Sequence, residues 1–171
     1  GQHREMLAQT LGIFNIAPDE ELDVMQPNQS LATLTANLFR TLDPLIAELN
    51  PSMMIAQGDT TSVMVAAIAS FYRHLPFAHV EAGLRTGDID SPFPEEFNRI
   101  VAGRVAALHF APTQRAVDNL RREHITNGIH LTGNTVIDAL LWAADRASAP
   151  PIKLDEGRRL ILVTCHRREN F

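Results

Sequence analysis

The stretch that most constrains the fold of this chain is residues 53–81. Residues 53–56 form a short apolar run typical of a buried strand, residues 60–72 have a largely apolar helical pattern, and residues 77–80 form a second apolar run. This order predicts a βαβ unit, in which the crossover is right-handed and the two strands are parallel. Asp59 and Glu81 follow the two strands. Both carboxylates are therefore expected at the carboxyl edge of the sheet, where open α/β folds bind ligands.

Short apolar runs and helical patterns alternate along the rest of the chain as well. Helices are predicted over residues 4–14, 30–49, 94–108, 113–124 and 134–146, and short strands over 109–111, 129–131 and 160–163. Ser30 and Thr113 are expected to cap their helices, and Pro44 is expected to kink or split the helix near Thr41. The predicted fold class is α/β, a Rossmann-like open parallel sheet with flanking helices.

The proline-containing segment near residue 150 predicts a domain boundary. We expect an incomplete first domain over residues 1–148, a linker over 149–158 and the first strand of a second domain over 159–171. The chain of 171 residues begins without Met and opens directly into a helical pattern. It is therefore interpreted as an internal fragment of a larger protein.

Charge and composition argue against several classes of function. The net charge is −5 and there is no basic block, so neither nucleic acid nor an anionic membrane surface is an expected partner. No apolar stretch has transmembrane length. The single cysteine, Cys165, permits no internal disulfide, which favours a cytoplasmic protein. There is no Walker loop, no GxGxxG pattern and no metal-ligand spacing, so no metal site is predicted.

The candidate carboxylates have both a structural and a functional interpretation. Asp59 suits a helix N-cap as well as a catalytic or ligand-binding group. Glu81 is either a solvated loop residue or part of a site shared with Asp59. Glu95 and Glu96 suit the first turn of a helix, and Glu95 has the spacing for an ion pair with Arg99.

A second cluster, His166-Arg167-Arg168-Glu169, follows the last predicted strand. It is either an ordinary charged turn or a site for a phosphate-bearing ligand, because arginine offers forked donors and histidine a donor or an acid.

Several longer motifs resemble a single family, the non-hydrolysing UDP-N-acetylglucosamine 2-epimerases of bacteria. The resemblance covers the whole chain. The matching segments are Gln2-His3-Arg4-Glu5-Met6-Leu7, Gly58-Asp59-Thr60-Thr61, His79-Val80-Glu81-Ala82-Gly83-Leu84-Arg85-Thr86-Gly87, Ser91-Pro92-Phe93-Pro94-Glu95-Glu96, Thr132-Gly133-Asn134-Thr135-Val136-Ile137-Asp138-Ala139 and His166-Arg167-Arg168-Glu169-Asn170-Phe171.

The resemblance implies a fold and a reaction. The fold is a GT-B-type pair of Rossmann-like domains, of which this chain would be most of the first. The reaction inverts C2 of a UDP-N-acetyl sugar by anti elimination of UDP and syn readdition, and it needs no cofactor. Asp59, Glu81 and Glu95 are implied as acid/base residues that touch substrate. His166 is implied beside the leaving diphosphate, with Arg167 binding substrate.

The resemblance also bears on partners and regulation. It implies a homodimer, a UDP-sugar substrate and a role in cell-envelope polysaccharide synthesis. Gln2 matches an allosteric position of some members, whereas Glu5 and Asn28 depart from that site. A UDP-sugar hydrolase and a GT-B glycosyltransferase remain as alternatives, and the isolated 171-residue chain is expected to be inactive.

Overall fold

The structure, a computed structural model, describes residues 4–147, Gly157, Ile161 and Val163. Its central feature is a sheet of short parallel strands. In chain order the elements are α1 (Arg4–Ile13), α2 (Leu31–Leu49), β1 (Met54–Gln57), α3 (Thr61–Tyr72), β2 (Phe77–Val80), α4 (Glu95–Val105), β3 (Leu108–Ala111), α5 (Gln114–Arg122), β4 (Ile129–Leu131) and α6 (Thr135–Ala144). The sheet order is β1-β2-β3-β4, and every neighbouring pair is parallel. The predicted α/β class and its central βαβ unit are confirmed.

The chain divides into two compact units between Asn134 and Thr135. The sheet and α1 to α5 belong to the first unit, and α6 belongs to the second. The predicted linker and the strand over 160–163 lie largely outside the described residues, so the domain boundaries given above remain predictions.

Helix α3 is apolar nearly all round because it packs on two sides. Val63, Ala66 and Ala67 form one buried cluster with Phe77 of β2. Met64 and Val65 belong to a second cluster that includes Leu38 of α2. Full burial of one such large apolar side chain stabilises the fold by about 1.5–3 kcal/mol. The double packing fixes α3, and with it the β1–α3 turn, against the sheet.

The first unit also shows where the predicted helix boundaries were right and where they were wrong. Ser30 and Thr113 cap α2 and α5 as predicted, each accepting a backbone N–H of the first turn. The predicted split at Pro44 is wrong, because α2 continues as one helix from Leu31 to Leu49. Leu38 and Ile46 are buried on either side of the proline, so the apolar face that holds the helix is continuous across it.

Helix α4 ends at Val105, three residues before its predicted end, because Leu108 pairs with Ala78 as the first residue of β3. Within the described part of the chain, none of the helices combines the length and the apolarity needed to cross a membrane.

Candidate active site

The β1–β2 register sets Asp59 and Glu81 side by side at the carboxyl edge of the sheet. Gln57 lies opposite Val80, and the Gly58 N–H donates to the Val80 carbonyl oxygen at 3.0 Å. A Cβ placed on Gly58 would lie 3.8 Å from Oε2 of Glu81, so this carboxylate lies over the turn that precedes Asp59. The expectation that both residues share one edge is confirmed.

Glu81 has an unusual backbone conformation. Its φ is +68°, in the left-handed region that non-glycine residues rarely occupy. The next residue, Ala82, is fully buried and donates its N–H to the Phe110 carbonyl oxygen of β3 at 3.1 Å. Such a conformation persists only where surrounding contacts hold it, and it is frequent at functional sites.

The loop that begins at Glu81 is fastened to α5 by side chains. Asn119 donates its amide to the Gly83 carbonyl oxygen at 3.0 Å. Arg85 forms a two-point ion pair with Glu123, with N–O distances of 2.6 and 3.0 Å. Because these anchors lie two and four residues beyond Glu81, they stabilise the backbone path that the left-handed residue requires.

Asp59 does not cap α3, contrary to one of its two interpretations. The N-cap of that helix is Thr60, and the Asp59 carboxylate instead pairs with Arg99 of α4, Oδ2 to Nη2, at 2.8 Å. Asn98 adds a second link, because its amide donates to the Asp59 carbonyl oxygen at 2.9 Å. The turn after β1 is thus joined to the first two turns of α4.

The predicted ion pair between Glu95 and Arg99 is replaced by other contacts. The Arg99 guanidinium pairs with Asp59 and lies 3.5 Å from Oε2 of Glu96, and its Nε reaches the backbone carbonyl oxygen of Glu95. Arg99 is only 9% exposed and meets Asp59 at the sheet edge. The Glu95 side chain is left half-buried beside the same edge, where its charge repels that of Asp59.

Burial dominates the electrostatics of this edge. It raises the pKa of Asp59, against the opposing attraction of Arg99, and the charge of Glu95 raises it further. Burial also raises the pKa of Glu81, as does the charge of Asp59, whereas Arg99 and a hydrogen bond from the Gln57 side chain oppose the shift. Carboxyl groups with raised pKa values hold protons closer to neutral pH, which suits general acid–base chemistry.

A family model described as UDP-N-acetylglucosamine 2-epimerase matches residues 1–171. The chain belongs to this epimerase family.

Individual members of the epimerase family align with the chain over nearly its whole length. The UDP-N-acetylglucosamine 2-epimerase of Escherichia coli K12 is 46% identical over 99% of this chain and 48% of its own length. The enzyme of the same name from Bacillus subtilis is also 46% identical, over 99% of this chain and 45% of its own length. The chain thus spans about half the length of the curated relatives it matches.

Solved structures of the epimerase family show the same fold. The UDP-GlcNAc 2-epimerase of Neisseria meningitidis, solved bound to UDP-GlcNAc, is 43% identical with a TM-score of 0.82, covering 85% of this chain and 39% of that one. The enzyme of Methanocaldococcus jannaschii, in complex with UDP-GlcNAc and UDP, is 30% identical with a TM-score of 0.75, covering 80% and 37%. The predicted assignment to a Rossmann-like, GT-B-type epimerase fold is confirmed by these likenesses.

The residues assigned from the epimerase resemblance differ in what the structure says of them. Asp59, Glu81 and Glu95 are brought to one edge, as described above. Gln2, together with the stretch that holds His166 and Arg167, lies outside the described residues. Their roles remain predictions. Among the residues that the structure does describe, no group of three or more His, Cys, Asp or Glu side chains could hold a metal ion.

Two buried histidines lie beneath the edge, and neither of them was proposed as a site residue from the sequence. His79 of β2 is fully buried and donates from Nε2 to the Gly58 carbonyl oxygen at 2.7 Å, which supports the turn before Asp59. His109 of β3 lies beside it in the sheet register and is also buried. Burial lowers the pKa of both, that of His109 to about 4, so both rings are neutral at physiological pH. Both histidines lie in short strands that are otherwise apolar, which was the available signal in the sequence.

Proposed function

We propose that the full-length protein containing this chain is a non-hydrolysing epimerase that interconverts UDP-N-acetylglucosamine and UDP-N-acetylmannosamine. The observation that carries the proposal is the grouping of Asp59, Glu81 and Glu95 around Arg99 at the carboxyl edge of the sheet. Family membership and the names of the relatives support the same reaction. They do not favour the hydrolase or the glycosyltransferase.

The chemistry requires more than one acid or base. In the elimination, a carboxylate removes the C2 proton while the C1–O bond breaks, UDP leaves with the bonding electron pair, and a C1–C2 double bond forms. In the readdition, a UDP oxygen bonds to C1 and a proton is delivered to C2 on the opposite face. A single fixed group cannot serve both faces of a fixed intermediate, whereas carboxyl groups on separate elements can.

The electrostatics of the edge suit this exchange of protons. The C2 proton is weakly acidic, so its removal needs a base stronger than an ordinary aspartate. Burial raises the pKa of Asp59 and Glu81, which increases their basicity, while Arg99 keeps a positive charge beside them and limits the shift. Glu95, whose charge acts on Asp59, is the third candidate. In this proposal His166 stabilises charge as the C1–O bond breaks, and Arg167 binds the diphosphate.

The proposal extends to assembly and setting. The full-length protein is a cytoplasmic homodimer that supplies a UDP-sugar for cell-envelope polysaccharide synthesis, and the 171-residue chain alone has no epimerase activity. Light scattering of the full-length protein, and a turnover assay of the isolated chain, measure these two points.

The test is solvent deuterium entry at C2 of UDP-N-acetylglucosamine, followed by NMR with the full-length protein in heavy water. Asp59→Asn, Glu81→Gln and Glu95→Gln are each expected to slow deuterium entry by about 10²–10⁴-fold, the usual contribution of a positioned acid or base. Glu48→Gln is the matched control, because Glu48 is an exposed acid in α2. Near-normal deuterium entry in all three site variants would refute the acid–base assignment, and release of free sugar would identify a hydrolase.

A further inference from the structure

Glu96, a buried carboxylate that no part of the proposed mechanism uses, connects the two halves of the candidate site. We propose that Glu96 is a positioning residue: it fastens the loop after Glu81 to α4 and holds the Arg99 guanidinium in place against Asp59. This inference rests on the proposed function for its kinetic readout, and its contacts stand independently of that function.

The first half of the connection is to the loop. Glu96 is 1% exposed in the first turn of α4. Its Oε1 accepts the backbone N–H groups of Thr86 and Gly87 at 3.0 and 3.2 Å. The loop is closed on itself at the same point, because the Thr86 hydroxyl donates to the Ser91 carbonyl oxygen at 2.6 Å. A movement of the Glu96 carboxylate would therefore move the backbone five and six residues beyond Glu81.

The second half of the connection is to Asp59. The other Glu96 oxygen, Oε2, is buried without a hydrogen bond and lies 3.5 Å from Nε of Arg99. Nη2, which lies next to Nε on the same edge of the guanidinium, contacts Asp59 Oδ2 at 2.8 Å. Arg99 thus contacts two carboxylates, one inside the protein and one at the sheet edge. The inner carboxylate restrains the plane of the guanidinium and shares its charge.

Glu96 also affects the balance of charge around Asp59. Asp59 is faced by Arg99 and Glu95 from α4, by His79 from β2, and by Glu81 beyond the end of β2. Neutralising Glu96 removes a negative charge that competes for Arg99, so the guanidinium attracts Asp59 more strongly and the pKa of Asp59 falls. A weaker base removes the C2 proton more slowly, whereas a residue that does not touch substrate leaves substrate binding nearly unchanged.

The experiment uses Glu96→Gln in the full-length protein, because glutamine keeps the shape and one acceptor oxygen. We expect kcat to fall at least about tenfold, KM for UDP-N-acetylglucosamine to stay within about twofold, and the acid limb of the kcat/KM profile to move to lower pH. Glu123→Gln is the matched control, because it weakens the Arg85 anchor of the same loop without contacting Arg99. Its acid limb is expected to stay in place.

A double-mutant cycle with Arg99→Lys gives a second, independent test. If Glu96 acts through Arg99, the effects of Glu96→Gln and Arg99→Lys on kcat are non-additive. Additive effects, an unmoved acid limb, or an equal movement in Glu123→Gln would each overturn the proposal and reduce Glu96 to a structural residue.

A last measurement separates this proposal from the proposed function. The Asp59 carboxyl group can be titrated by carbon-13 NMR without substrate, in the wild-type protein and in Glu96→Gln. A lower pKa of Asp59 in the variant supports the positioning role even if the wild-type protein has no epimerase activity, in which case only the proposed function fails. An unchanged pKa overturns the positioning role.

Discussion

Replacing Glu81 by glycine should make the protein more stable and catalytically dead at the same time. Two features of Glu81 work against folding: its φ of +68° and its partly buried carboxylate close to Asp59. Glycine removes both, because it adopts positive φ without a steric penalty and carries no charge. An ordinary loop glutamate would show neither effect.

The conformational part of this gain comes from the backbone of residue 81. A non-glycine residue in the left-handed region costs about 1–2 kcal/mol. Glycine also makes the unfolded chain more flexible, which offsets about 0.5–1 kcal/mol of this gain. Taken at the middle of both ranges, the net gain from conformation is about 0.75 kcal/mol, or about 1.5–3 °C in the melting temperature of a domain of this size.

The charge contributes a further gain that depends on pH. The folded-state pKa of Glu81 is raised, so the group favours folding when protonated, and that stability is lost as pH rises through the raised pKa. Below the unfolded value of 4.5 the carboxyl is neutral in both states, and Glu81→Gln should match the wild-type protein there. Above the raised pKa, Glu81→Gln should be more stable than the wild-type protein.

Urea unfolding of the full-length wild-type protein, Glu81→Gly and Glu81→Gln at pH 4 and pH 7.5 separates the two contributions. His74→Gly is the matched control: His74 also has positive φ, at +53°, but it is exposed at the end of α3. It should gain conformational stability and keep full turnover. If Glu81→Gly were less stable than the wild-type protein at pH 7.5, or as active, the reasoning about this residue would be wrong.

Two further predictions concern the packing beneath the site. Gly83→Ala should lower stability by about 1–3 kcal/mol in thermal unfolding, because its Cβ would lie 2.3 Å from the Ala116 carbonyl oxygen. Gly87→Ala, with a similar φ and open space around it, should lower stability clearly less. Equal losses of stability in the two variants would contradict the close approach at Gly83. The folded pKa of His109 is about 4, so the free energy of unfolding should fall by about 3 kcal/mol as pH drops from 6.5 to about 4. The urea midpoint of His109→Gln should not show this part of the fall. If the wild-type protein and His109→Gln lost stability equally in acid, His109 would not be the cause.

The sequence was sufficient where the determining interactions are local. The β1–α3–β2 unit follows from two apolar runs with a helical pattern between them, and parallel pairing then brings Asp59 and Glu81 to one edge. The Thr113 cap of α5 depends on a residue three positions away. Each of these features is encoded within a few residues, or in a topology rule that holds for nearly all βαβ units.

The sequence was insufficient where residues distant along the chain compete. Spacing favoured a pair between Arg99 and Glu95, but the folded chain offers Asp59, forty positions earlier, at 2.8 Å. In the sequence, Glu96 had the pattern of an ordinary acid in the first turn of a helix. In the fold, the loop that contains Thr86 and Gly87 packs over Glu96 and donates two backbone N–H groups to it. The predicted split at Pro44 is wrong because burial on either side outweighed a local rule. Tertiary packing decided all three.

The start of α4 limits how this protein can diverge or be engineered. Of its first five residues, Glu95 and Arg99 face the site, while Glu96 and Asn98 are buried with hydrogen bonds to neighbouring segments. Phe97 alone of the five is largely exposed, at 46%. Mutational freedom in this helical turn is therefore concentrated at Phe97.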